Sequence, residues 1–228
     1  MVQETRPIET VDRQAGGLPL FDGVLDLPIT RHRRRAQQFL KIIRLNPYIE
    51  TILERLPELG VELWLTSGCL VQTAWNVKTR QRPHAGINDY DLIYYDPDVS
   101  WEAEDAVISR AARLFCDLPI DIEVRNQARV PLWYQAKFNI PYGRVREAPH
   151  ALNRYPSRTT AIAVTRRSDG DIAFYAPFGF THALTMQVRP NRKLPIPHVY
   201  ASKAERWRAA WPQLVVHPWE SARYERSV

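Results

Sequence analysis

The chain has 228 residues, of which 45% are hydrophobic and 25% are charged. This composition excludes a disordered or fibrous protein, and the length suits one compact domain with a substantial core. The formal net charge of +6 favours an anionic partner, such as nucleotide phosphates or nucleic acid, but names none. No stretch reaches the ~18 apolar residues of a membrane span, and no secretory signal is recognisable, so we expect a cytoplasmic protein without membrane contact.

The first predicted elements are two short helices that follow a segment rich in Pro, Gly and polar residues. Apolar residues take helical spacing from Arg33 to Asn46-Pro47, and they take it again up to Leu56. The basic run at 31–35 leads into the first helix, so it is either a solvated helix face or a contact for nucleic acid. The expected divisions are an extended N-terminal arm over residues 1–29, a single domain over 30–215 and a C-terminal tail over 216–228.

Strands and helices alternate through the middle of the chain. The run VELWLT predicts a strand that ends at Ser67-Gly68, and a helix begins directly after the glycine. DYDLIYY predicts a second strand from Asp89, and an amphipathic helix follows from Trp101. IDIEV predicts a third strand with Asp121 and Glu123 on one face. The order to this point is α-α-β-α-β-α-β.

The last third of the chain carries weaker signals. A helical turn is predicted over residues 132–138, and a hairpin is predicted around Ser168-Asp169-Gly170. THALTMQV (181–188) and ASKAERWRAAW (201–211) each predict a helix. Cys69 and Cys116 have apolar neighbours and no metal-ligand spacing, which predicts two buried thiols and no disulfide framework.

Acidic residues two positions apart are the first candidates for chemistry, although such pairs are common. About three are expected by chance at this composition, and five occur. Three have a local explanation, in a helix, at a turn or as a helix cap: Glu102/Glu104, Asp169/Asp171 and Asp96/Asp98. The remaining two pairs, Asp89/Asp91 and Asp121/Glu123, fall on predicted strands.

Residues i and i+2 of a strand point to the same face, roughly 6–7 Å apart at Cα, so the carboxylates of Asp89 and Asp91 could reach one divalent ion or a pair of ions. Oxygen ligands of this kind suit Mg²⁺ or Mn²⁺. Gly68, at the start of a helix, would let a phosphate approach the backbone and the helix N-terminus. The alternatives are acids that face water or pair with basic residues, and an ordinary tight turn.

Together these segments resemble the nucleotidyltransferase superfamily with its polymerase-beta-like core. More narrowly, the chain is similar to an uncharacterised bacterial nucleotidyltransferase-like family over roughly residues 36–215. The segments that carry the resemblance are SGCLVQTAWN, INDYDLIYYD, EVRNQARVPLWY, APFGF with MQVRPN, and KAERWRAAWPQL. The resemblance implies an α+β fold, with a mixed β-sheet, an α-β-α-β-α-β core and flanking helices.

The resemblance also implies roles for individual residues. Asp89 and Asp91 match the paired metal ligands, and Glu123 matches the third carboxylate, for which Asp121 is the alternative. Gly68 matches the turn glycine, with Ser67 before it and Cys69 at the position where the superfamily has a small Gly or Ser. Asn126 and Arg129, in the segment NQAR, match an element that could hold a base, ribose or phosphate or could serve as a buried cap.

The implied activity is transfer of a nucleoside monophosphate from an NTP to an unknown acceptor, with Mg²⁺ or Mn²⁺ as cofactor and release of pyrophosphate. Nucleic acid is a further expected partner through the basic residues. Two alternatives stay open at this point. One is a non-catalytic nucleotide- or nucleic-acid-binding protein that retains the fold, and the other is a metal-dependent sugar-nucleotide glycosyltransferase.

Overall fold

The computed structural model describes residues 20–21 and 29–220, and it describes side chains from residue 33 onward. Most of the predicted arm and the end of the predicted tail therefore lie outside the described residues. Within the arm, Leu20–Phe21 forms a short strand that joins the main sheet. Within the predicted tail, Val216 ends the strand Val215–Val216.

Helices account for most of the regular structure, and their bounds follow from local signals. The α-helices are α1 (Ile29–Ile43), α2 (Pro47–Arg55), α3 (Gly68–Lys78), α4 (Trp101–Leu114), α5 (Val130–Phe138), α6 (Thr181–Leu184) and α7 (Pro197–Ala210). Within the described part of the chain, two 3₁₀ helices span Leu56–Leu59 and Ala148–Arg154. Asn46 caps α2 through its side chain, with Pro47 at the first helical position. Ser100 caps α4 by accepting a hydrogen bond from the Ala103 N–H.

The described strands form one mixed sheet of six strands and one sheet of two. The strands are β1 (Leu20–Phe21), β2 (Trp64–Thr66), β3 (Asp89–Tyr94), β4 (Asp121–Asn126), β5 (Ala163–Arg166), β6 (Ile172–Tyr175), β7 (Gln187–Val188) and β8 (Val215–Val216). The order in the large sheet is β1-β6-β5-β2-β3-β4, and β7 pairs with β8. β3 runs parallel to β4 and antiparallel to β2. The predicted α-β-α-β-α-β core is confirmed as α2 to β4.

Both faces of the large sheet are covered in its middle. On one face Leu65, Leu92 and Phe174 belong to the main core, which α1, α3 and α7 share. On the other face a smaller core forms against the 3₁₀ helix Ala148–Arg154, and it includes Trp64 and Ile93. Since successive strand residues point to opposite faces, β3 contributes to both cores. Among the helices described, none combines the length and the apolar character that crossing a bilayer demands.

The structure corrects three local predictions. The helix predicted over 181–188 stops at Leu184, because Met186 takes a positive φ of 57° and the next two residues enter β7. Cys69 is buried as predicted, but Cys116 is exposed, since it follows the last turn of α4. Asp96 and Asp98 do not cap α4. Their side chains accept hydrogen bonds within the preceding turn, from the N–H groups of Asp98 and Ser100.

Candidate functional site

Four carboxylates share one face of the sheet at the start of β3 and β4. Tyr90, Leu92 and Tyr94 alternate with Asp89 and Asp91 along β3, and these three apolar or aromatic side chains are buried on the opposite face. The parallel register places Asp89 beside Asp121 and Asp91 beside Glu123. Direct partners on neighbouring strands point to the same face. We call Asp89, Asp91, Asp121 and Glu123 the carboxylate set.

Asp91 is the member whose ionisation the fold opposes most clearly. Burial first, and then the nearby negative charges of Asp89 and Glu123, raise the pKa of Asp91 from its ordinary value to about 6. Lys203 on α7 and Arg125 on β4 act in the opposite direction. The strand register therefore concentrates negative charge that these two cations only partly offset, and a divalent cation would relieve it.

Glu123 and Asp121 have different surroundings. Glu123 accepts a hydrogen bond from Arg125, at 3.1 Å, and its side chain is 49% exposed. Asp121 is exposed and stands beside Asp89 at the beginning of the strand. Among the described residues, no group of three or more His, Cys, Asp or Glu side chains is arranged so that it could hold a metal ion as it stands. The donor set nevertheless fits Mg²⁺ or Mn²⁺, because it consists of crowded carboxylate oxygens on one face.

The turn from β2 into α3 lies close to the carboxylate set. Thr66, the last residue of β2, pairs with Asp91 in the sheet. The pKa of the buried Cys69 thiol is raised well above its ordinary value by burial first and then by the charges of Asp91 and Asp89. The residues predicted for this turn and for the metal are thus brought together, and the first turn of a helix offers N–H groups that can bind an anion.

The conformational strain in this turn falls on Ser67 and not on Gly68. Ser67 has φ 66° and ψ −121°, a region that a residue with a side chain rarely adopts. Its N–H donates to the Ile162 carbonyl, which holds the turn against β5. A Cβ on Gly68 would lie 2.8 Å from the Gln72 side-chain nitrogen, so the glycine leaves room for that flexible side chain. Gly68 therefore gives space at the start of α3, while Ser67 shapes the turn.

Asn126 and Arg129 lie away from the carboxylate set. Asn126 is at the far end of β4, where its side-chain amide donates to the carbonyls of Asp96 and Asp98. The buried Glu104 carboxylate accepts from the Asn126 N–H and pairs with Arg129 at 3.2 Å. These contacts hold the turn between β3 and α4. A nucleotide contact by Asn126 or Arg129 stays a prediction.

Two residues near the carboxylate set were missing from the sequence prediction. The Lys203 side chain is close enough to lower the pKa of Asp91, although α7 begins far along the chain from β3. The Tyr155 hydroxyl lies 3.4 Å from the Thr66 hydroxyl. Burial first, then the charge of Asp91, raises the pKa of that phenol. No local pattern marks either residue, since both reach the site only through tertiary packing.

Comparison with known proteins agrees with this geometry. A family described as Nucleotidyltransferase matches residues 56–216, a range that includes all of β2 to β8. The fold is also similar to a solved NMR structure described as a CCA-adding enzyme head domain. The TM-score is 0.63 at 25% sequence identity, over 80% of this chain and 95% of that one. A search of curated proteins found no match. The chain belongs to the nucleotidyltransferase family, and its α+β fold is that of a nucleotidyltransferase.

Proposed function

We propose that the protein transfers a nucleoside monophosphate from an NTP to an acceptor hydroxyl or phosphate and releases pyrophosphate, with Mg²⁺ or Mn²⁺ as cofactor. The observation that carries this proposal is the register of β3 and β4, which sets Asp91 beside Glu123 next to the turn into α3. The family membership supports the reaction class. The similar solved structure, described as a CCA-adding enzyme head domain, also supports this reaction class.

The chemistry follows from the charges on this face. Asp89 and Asp91 would hold the ion together with Glu123, and the bound ion would neutralise charge on the triphosphate. The N–H groups at the start of α3 bind phosphate oxygens, aided by the positive end of the helix dipole. Lys203 adds a positive charge on the side of α7. Positioning and charge neutralisation provide most of the catalysis expected for this class of reaction.

The transfer step balances as a substitution at the α-phosphorus. The acceptor oxygen forms a new bond to that phosphorus, and the bond from the α-phosphorus to the oxygen bridging it to the β-phosphorus breaks. Pyrophosphate leaves with the bonding electron pair. The Glu123 carboxylate takes the proton of the acceptor hydroxyl in this proposal, because Glu123 stands beside Asp91 and is partly exposed to an incoming substrate.

The proposal is tested with α-labelled NTPs, one at a time, incubated with the protein, Mg²⁺ or Mn²⁺ and a cell extract as the source of acceptor. We expect pyrophosphate release and a labelled acceptor with the wild type. We expect neither with Asp91→Asn, while the control Asp105→Asn, which replaces an exposed aspartate on α4, retains activity. Wild-type turnover by Asp91→Asn would overturn the proposal.

A second measurement separates an enzyme from a binding protein that retains the fold. Titration calorimetry of the wild type with NTP should show binding that depends on the metal ion. Metal-dependent binding without pyrophosphate release from any NTP in the presence of extract would favour the non-catalytic alternative. Release of a nucleoside diphosphate from a sugar nucleotide would favour the glycosyltransferase alternative.

A further inference from the structure

A basic cleft of about 820 Å³ opens beside the second 3₁₀ helix, on the side of the sheet that carries β6. Besides Tyr175, Phe178 and several polar residues, six cationic side chains line it: Arg144, Arg146, Arg154, Arg158, Arg192 and Lys193. Its lining contains no carboxylate among the described residues. Glu147, at the rim, pairs with His150 at 3.6 Å and is 67% exposed. The cleft therefore presents strong positive charge to an incoming molecule.

The cations have two different roles. Arg154 is committed to the fold, because its guanidinium donates to the carbonyls of Tyr142 and Arg144. Arg144, Arg146 and Lys193 are exposed, and their charged ends are available to a ligand. Three long, exposed cations around one cleft bind phosphate groups well, and they do so without a fixed geometry. The inference rests on these three side chains.

The walls of the cleft also offer flat and hydrogen-bonding surfaces. The Arg158 guanidinium lies over the half-buried Phe178 ring, 5.3 Å from the ring centroid. The ring centroids of His150 and Tyr175 are 5.5 Å apart. Asn153 donates a hydrogen bond to the Tyr175 hydroxyl, which fixes that ring. A positive groove with aromatic rings in its walls is the general design for binding single-stranded nucleic acid without reading a sequence.

The register of the sheet gives the distance from this cleft to the carboxylate set. Tyr175 pairs with Ala163, Ala163 pairs with Thr66, and Thr66 pairs with Asp91. These residues form one row on one face, and three intervals between strands make roughly 14 Å from Tyr175 to Asp91. At ~3.4 Å for each stacked nucleotide, this distance corresponds to about four nucleotides or fewer. The smaller core against the 3₁₀ helix Ala148–Arg154 covers the row between the two places, so a strand that joins them would pass over that helix.

We infer that the basic cleft binds the phosphate backbone of a single-stranded nucleic acid whose terminal hydroxyl is the acceptor at the carboxylate set. The assignment of the acceptor rests on the proposed function, while the binding itself does not. A chain with repeated phosphates suits the cleft better than a single phosphate group does, because the cations are spread around a volume of about 820 Å³. Phosphate contacts of this kind would give affinity that depends little on sequence and strongly on salt.

The test is fluorescence anisotropy of the full chain with labelled 12-nucleotide RNA and DNA strands, between 50 and 200 mM salt. The cleft variant combines Arg144→Ala, Arg146→Ala and Lys193→Ala. The matched control combines Lys41→Ala, Arg110→Ala and Arg113→Ala, which removes the same charge from exposed positions on α1 and α4. Inorganic tripolyphosphate serves as the competitor, and Asp91→Asn serves as the variant at the carboxylate set.

We expect the cleft variant to bind at least about tenfold more weakly, and to lower the slope of log K against log salt by about two. The control variant should stay within about twofold of the wild type, and the RNA and DNA arms identify which strand binds more tightly. Equal weakening in the two triple variants, no binding of either strand, or full displacement by equimolar tripolyphosphate would each overturn the inference. If Asp91→Asn keeps full transferase activity while the cleft variant still loses affinity for the strand, the proposed function fails and the assignment of the cleft to nucleic acid stands.

Discussion

The carboxylate set and the basic cleft lie on one face of one sheet, but they concentrate charge in different ways. The carboxylates are short side chains fixed on neighbouring strands, so they cannot move apart, and the pKa of Asp91 rises to about 6, mainly by burial and then by repulsion. The exposed cations of the cleft are long side chains outside the strands, where water and salt screen them. Rigid, crowded carboxylates suit the positioning of a metal ion, whereas flexible, exposed cations suit the binding of a polyanion.

The largest effect that tests this contrast is expected at Asp91. Asp91→Asn should lower metal-dependent transfer by at least about a hundredfold, because the loss of one charged group that positions phosphate and metal costs this much in comparable sites. Transfer of label from NTP measures it, with Asp105→Asn as the control. A loss of less than tenfold would mean that the crowded carboxylate has no catalytic use.

The same substitution should stabilise the fold in the absence of metal. The pKa of Asp91 is about 6 in the folded state against an ordinary 3.8, so the folded state binds this proton more tightly than the unfolded state does. The stability of the fold that comes from this proton is present below about pH 4 and is lost as pH rises through 6. Asp91→Asn should therefore raise the free energy of unfolding at pH 7.5 by about 1–3 kcal/mol more than at pH 4, since one pKa unit is worth about 1.4 kcal/mol.

Urea unfolding at the two pH values, without divalent ions, measures this difference. Asp105→Asn controls for changes in net charge. The same gain in the free energy of unfolding at both pH values would show that ionisation of Asp91 does not destabilise the fold. Mg²⁺ should remove the gain at pH 7.5, because the ion binds the folded wild type and not the variant.

Two acids of β4, Glu123 and Asp121, are the candidates for the third carboxylate. Glu123→Gln should reduce transfer by about 10–100-fold, because Glu123 stands beside Asp91 and is placed to accept a proton. Asp121→Asn should change the rate of transfer by no more than about threefold. A larger loss is expected only if Asp121 itself takes the proton. Parallel kcat measurements on the two variants decide between them, and the reverse ranking would assign the role to Asp121.

The smallest effect is expected at Lys203, the residue of α7 whose positive charge lowers the pKa of Asp91. Lys203→Ala should raise the KM for NTP by about fivefold with a smaller change in kcat, because a single charge on phosphate is worth about 1 kcal/mol in a partly exposed site. Lys203→Arg should restore most of the affinity, and Lys41→Ala should have no effect. An unchanged KM would leave Lys203 as a counter-charge for Asp91 alone.

The site was predictable from the sequence where it depended on alternation along a strand. DYDLIYY and IDIEV place acids and apolar residues on opposite faces, and the structure confirms that separation at Asp91 and Leu92. The strained conformation of Ser67 was not predictable, because no propensity marks a serine for a positive φ. The end of α6 was mispredicted for a similar reason, since Met186 adopts a positive φ and the chain turns into β7.

The sequence by itself determined the α-β-α-β-α-β order, the burial of one face of β3 and the acids on the other, because these follow from periodicity within single elements. Only the tertiary structure decided that Asp91 stands beside Glu123, because register arises between strands. It also decided that the charge of Lys203 acts on Asp91, and that the cations of residues 144–193 enclose one cleft. Those residues come from loops and helices that only packing brings together, so no local period could predict their meeting.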